Sequence, residues 1–303
     1  MGTLIGHVGP GFGFLLIGLW QLFNHIKSHS LNPNSYKSLP WFPTSLHRYL
    51  ELFLIMGGTT ISMAMELFIG PDRHQPFDPD WTIPSNHLHN FEHALISFTF
   101  FTYAAFAIVF DSLKLKARDD LAQLLAALAF SQQLLLFHLH SADHMGVEGQ
   151  YHLLLQLVVL VSIVTTLMGV ALPTSFLVSF IRSLSILFQG VWFIVMGFML
   201  WTPGLVPKGC RMNYQEGHFV VRCEGERALA RAKSLVNLQF GWFFVCVAIF
   251  SMIFYVYLLR RYEEKVEYRS LHADDDMESQ KNKEEYQSFV QMGKGMPPLN
   301  IER

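Results

Sequence analysis

Histidine is the residue most able to do chemistry in this chain, and it recurs in a repeated heptapeptide. His87-Leu88-His89-Asn90-Phe91-Glu92-His93 is echoed as His138-Leu139-His140-Ser141-Ala142-Asp143-His144. An imidazole can be a neutral metal ligand, a proton carrier or an axial heme ligand. The carboxylates beside it can ligate, fix a ring tautomer or act as a general base. On a helix, side chains four residues apart share a face. That spacing pairs His89 with His93, His140 with His144, and Glu148 with His152, and turns His87 and His138 elsewhere. The set contains no cysteine, so a thiolate cluster is disfavoured and zinc, iron or copper suits it better. The spacing also departs from the H-x-x-H-H boxes of membrane di-iron enzymes, which favours a single ion. Two further readings stay open: a heme held between helices, and a hydrogen-bonded polar cluster that stiffens helix ends.

The elements that must position these side chains are apolar. With 51% hydrophobic and only 15% charged residues, the composition is unlike that of a soluble domain. Seven runs are long enough to cross a hydrocarbon core as helices, at about 4–26, 46–70, 88–112, 119–142, 147–171, 174–202 and 233–260. A barrel would need short alternating segments, which are absent. The expectation is an all-α, polytopic membrane protein: a seven-helix bundle over residues 1–262 and a disordered, solvated cytosolic tail over 263–303.

Lysine and arginine set the orientation. Lys27 and Lys37 in the first loop, Lys114, Lys116 and Arg118 in the third, and Arg260 and Arg261 after the seventh run mark the cytosolic side. The N-terminus then faces the lumen or exterior, in the endomembrane system or plasma membrane. The sixth loop, 203–232, is luminal in this scheme although it carries five basic residues; in so long a loop the rule is weakest. In that oxidising compartment Cys210 and Cys223 can pair or remain two thiols. Cys246 reads as a packing residue within the last run. No cleavable leader is expected, because the first residues lack a basic region.

Antiparallel packing brings the two heptapeptides to one luminal level. Glu66 ends its run there, Glu148 and His152 begin theirs there, and so does His7. Elsewhere, Gln189 reads as a mid-membrane side chain bonded to a neighbouring helix, Arg48 and Glu51 as a local ion pair, and His25 and His29 as interfacial. Asn237 and Gln239 begin the last run on the luminal side, where support of the site is the lesser of their readings.

The chain resembles the transmembrane protein 45 family, also called domain of unknown function 716, whose plant members are described as virus-response proteins. The resemblance spans nearly all of residues 1–262. It rests on Gly6-His7, Pro10-Gly11 and Gly18-Leu19-Trp20, on Glu66 followed by His74, and on Arg182-Ser183, Gln189-Gly190, Trp192-Phe193 and Gly197-Phe198. It implies seven spanning helices and a thinner polar set: His93, then His138 and His140, then Glu148 and His152. His87, His89 and His144 fall outside it. The family has no established reaction.

Together these readings give a luminal zinc-type centre of His93, His140 and His152, with Glu66 and Glu148 as ligand or catalytic base. Iron, copper or heme are the other candidates. Membrane lipids and a lipid-like ester or amide are the expected partners, and nucleic acid is not. The reading from another class is a non-enzymatic protein of endomembrane trafficking or defence signalling, whose histidines are structural or sense pH.

Overall fold

Among the described residues, seven helices are long and apolar enough to cross a membrane. The computed structural model describes residues 3–70, 74–139, 145–215 and 218–293, with side chains, His218 aside, up to Tyr262. The helices are α1 Leu4–Leu31, α2 Leu50–Ala64, α3 Leu88–Ser112, α4 Arg118–Leu139, α5 Gly146–Ala171, α6 Phe176–Trp201 and α7 Gly225–Gly293. The Thr3 hydroxyl caps α1 by accepting from the Gly6 amide at 3.1 Å, and Ser175 caps α6 through Val178. Such caps satisfy donors that a helix start leaves open. The apolar span of α7 ends at Tyr262, but its helix continues to Gly293, where the sequence reads as a disordered tail. The extension is rich in Glu, Lys and Gln, which are good helix formers.

Burial is distributed as lipid requires. Phe53, Ile61, Trp242 and Ile253 are exposed, whereas Gln123, Arg182 and Gln189 are buried. A soluble domain would hide the first set and solvate the second; polar groups facing the bundle interior are the membrane arrangement. The chain is a multi-pass helical membrane protein. Cys246, expected to pack internally, is exposed on this outer face.

α1 and α6 are the most intimate pair, and glycine makes that possible. A Cβ added at Gly18 would run into the Leu187 backbone, and one at Gly190 would run into Leu15. Lipid tails are as apolar as leucine, so helices in a membrane gain from close backbone approach rather than from burying apolar area. These are glycines of the motifs that carry the family resemblance. The α1–α6 contact fixes the height of His7 and Arg182.

Between α6 and α7 the chain forms a hairpin of β1 Cys210–Gln215 and β2 His218–Cys223, with Cys210 opposite Cys223. The two cysteines are disulfide-bonded. Val220 and Val221 are buried, and β2 packs on α5 and α7. The cross-link closes a sequence separation of 13 residues, worth about 3 kcal/mol by loop-closure entropy. Replacing both cysteines by serine is expected to lower the thermal midpoint of the detergent-solubilised protein while leaving its helical circular dichroism at low temperature unchanged.

Candidate functional site

The end of the bundle where α1, α3 and α5 begin gathers the histidines. A π turn, Met65–Ile69, extends α2 and buries Glu66. Asn90 donates its Nδ2 to Glu66 Oε2 at 2.8 Å, and His93 Nδ1 lies 3.5 Å from Glu66 Oε1. Wide turns of this kind often occur at functional sites. Glu66 and His93, which the sequence puts at one level, are thus in contact.

His7 and His152 face each other across α1 and α5, their rings edge to face at 5.9 Å. His93 lies within electrostatic reach of His7. Trp201 stacks on His7 at 4.4 Å, and Phe137 closes the far side of His152 at 6.2 Å. His7 Nδ1 sits 3.1 Å from the Thr3 carbonyl, and His152 Nδ1 sits 3.0 Å from the Glu148 carbonyl. A carbonyl only accepts, so Nδ1 carries a proton in both rings. Histidines that bind metals use this arrangement, the second nitrogen being tied to an acceptor. Glu148 is buried one helical turn before His152.

His140, Asp143 and His144 lie outside the described residues. His138 is exposed. Among the described residues, no three His, Cys, Asp or Glu side chains form a group that could hold a metal ion. Helical spacing turned His87 away from the interior; instead it is buried on the same face as Asn90 and Ala94. The interval from His87 to Asn90 and Ala94 is ordinary α-helical spacing, so the most buried face of α3 at this end is theirs rather than the one that carries His89. Neither ring nitrogen of His87 has a hydrogen-bond partner among the described residues.

Around this end, Gln150 donates to Asn237 at 2.7 Å and Tyr151 donates to Gln239 at 2.6 Å. The α7 pair thus ties α7 to α5. At mid-span, Gln189 donates to Ser162 Oγ at 2.7 Å, the interhelical bond expected of it, and Trp192 donates to the Tyr151 carbonyl at 3.0 Å.

The opposite end holds a second polar cluster, which sequence reasoning missed. Arg48 and Glu51 are not paired: Arg48 grips Asp111 at 2.8 and 3.0 Å, and that carboxylate holds the Arg48 guanidinium above its ordinary range. Glu51 turns inward and accepts from Trp20 Nε1 at 3.0 Å, Gln21 Nε2 at 3.0 Å and the Phe42 amide at 2.7 Å. His25, expected at the interface, is fully buried between Tyr36 and Arg182. The available signal was the run of Gln21, His25, Glu51, Gln123 and Arg182 inside apolar segments. Such groups are costly in a bilayer and must have partners.

Residues 119–256 match a family described as "Family of unknown function (DUF716)". The matched segment runs from the start of α4 to near the end of the α7 span. It contains His140, Glu148, His152 and Arg182, and leaves out His7, Glu66 and His93.

Proposed function

Over residues 119–256 the chain belongs to that family of unknown function, and because membership names no reaction, we propose from the geometry that this membrane protein binds a zinc-class ion at its histidine end. His93, His140 and His152 supply the imidazoles, and Glu66 and Glu148 complete the set or take a proton. The observation that carries the proposal is the meeting of the His152 and His7 rings at 5.9 Å, each with Nδ1 held by a carbonyl one turn back, at the end of the bundle where Glu66 and His93 also meet. The described residues alone fall short of a metal-holding group, so the proposal requires His140. An ion held with one open position would supply an activated water. A lipid-like ester or amide reaching the site from the bilayer is the substrate class the location favours.

The disulfide supports an orientation as well: Cys210–Cys223 lies at the histidine end, and a persistent disulfide belongs to an oxidising compartment. The N-terminus and the histidines then face the lumen or exterior, and α7 ends in the cytosol.

One observation favours a second reading. Glu66, Asn90 and His93 already partner one another, as a purely structural polar cluster would. In that case the protein is non-enzymatic and acts in trafficking or signalling.

Thermal unfolding with and without zinc separates the two. At free zinc near 100 times Kd, binding to the folded state stabilises it by about 2.7 kcal/mol. The proposal expects a zinc-dependent rise in midpoint that His152→Ala abolishes; the structural reading expects no zinc dependence in either protein.

A further inference from the structure

Residues 36–42, between α1 and α2, tuck into the bundle, with Lys37 turned out. Tyr36, Ser38, Trp41 and Phe42 are buried. Buried irregular backbone is tolerated only when the protein satisfies its polar groups, and here the surrounding bundle takes up the amides of Ser38 and Phe42 and the carbonyls of Ser38, Leu39 and Pro40. Gln123 donates to the Ser38 carbonyl at 3.1 Å, Arg182 to Leu39 at 2.7 Å, and Gln21 and Tyr103 to Pro40 at 3.2 and 2.9 Å. The Ser38 amide donates to Pro173 at 2.6 Å, and the Phe42 amide to Glu51.

The two buried charges hold this strap from different sides, through its backbone. Arg182 bonds neutral acceptors only: Leu39, Gln123 Oε1 at 3.2 Å and His25 Nε2 at 3.0 Å. Since a guanidinium only donates, His25 Nε2 must accept, and its protonated Nδ1 donates to the Tyr36 hydroxyl at 2.8 Å. Burial pushes that phenol up to about 12, so it remains neutral. Arg182 Nε has no partner among the described residues. Glu51 and Arg182 are a split pair, each needing the strap in place.

Beneath the strap a polar file enters the bundle. Ser185 donates to the Arg182 carbonyl at 2.8 Å, Ser185 and Ser162 hydroxyls meet at 2.8 Å, and Gln189 donates to Ser162 at 2.7 Å. It ends at Gln189 Oε1, which is buried and unpartnered among the described residues.

We propose that residues 36–42 are a gate, latched by Glu51 and Arg182, that closes a polar file leading to Gln189. Single cysteines placed by Ser38→Cys and Ser185→Cys in the full chain carrying Cys246→Ala, in open membrane fragments, test it with a membrane-impermeant maleimide. With the latch intact, both positions should label far more slowly than the exposed Ser45→Cys. Glu51→Gln leaves amide hydrogens facing donors, and Arg182→Lys cannot reach all three acceptors. Each should raise both labelling rates by about tenfold or more, as stabilised local opening does. If either variant fails to fold, the pair Glu51→Gln with Arg182→Gln leaves no buried charge and should give the same result. Fast labelling of Ser38→Cys with the latch intact would overturn the proposal. So would latch variants that leave Ser185→Cys sealed.

Discussion

Gly18→Ala is expected to cost the bundle about 3 kcal/mol, at the upper end of ordinary overpacking. The sign is informative, because alanine in a helix is ordinarily favoured over glycine by about 1 kcal/mol. At Gly13 that preference should prevail, since an added Cβ meets nothing within 4 Å. At Gly18 the added methyl meets the Leu187 backbone, which cannot rotate aside as a side chain would. α1 must move away from α6, taking His7 from His152 and His25 from Arg182. Thermal midpoints of the two variants in detergent should therefore shift in opposite directions, with Gly13→Ala level or higher and Gly18→Ala lower.

Glu51→Ala is the other large effect, at about 3–5 kcal/mol, because three buried donors lose one acceptor and each unsatisfied buried donor costs roughly 1–3 kcal/mol. Three donors lose their acceptor, from Trp20, Gln21 and Phe42. Arg182 keeps its charge with no carboxylate left in the cluster. Replacing Asp111, whose partners Arg48 and Arg118 are about half exposed, should cost much less, because solvent screens that network. Chemical or thermal unfolding of the two variants side by side measures the ranking.

These two positions also show how far the sequence could be read. Spans were legible because lipid demands about twenty consecutive apolar residues, alternation of the spans then placed Glu66 at the level of the histidines, and the cost of a polar group in lipid set Gln189 against a neighbour. Compartment allowed a Cys210–Cys223 bond without requiring it, and the hairpin that sets the two cysteines opposite each other decided it. Glu51 was misread because i,i+3 spacing to Arg48 is a local argument, whereas its partners come from α1 and from the strap. His25 was misread as interfacial for the same reason: nothing local announces that Arg182, 157 positions away, needs an acceptor. Within the histidine repeat, register decided which ring is buried. His87 shares its face with Asn90 and Ala94, and periodicity alone cannot say which face of a spanning helix packs inward.

The repeat itself matters less than the helix ends that meet around it, which bring His7, His93, His152, Glu66 and Glu148 to one level. Elemental analysis of the purified full-length protein tests the account most directly. It is expected to contain zinc, or iron or copper, in stoichiometric amount, lost on His140→Ala or His152→Ala. Folded protein free of all three metals, and unable to retain zinc when it is supplied, would contradict it.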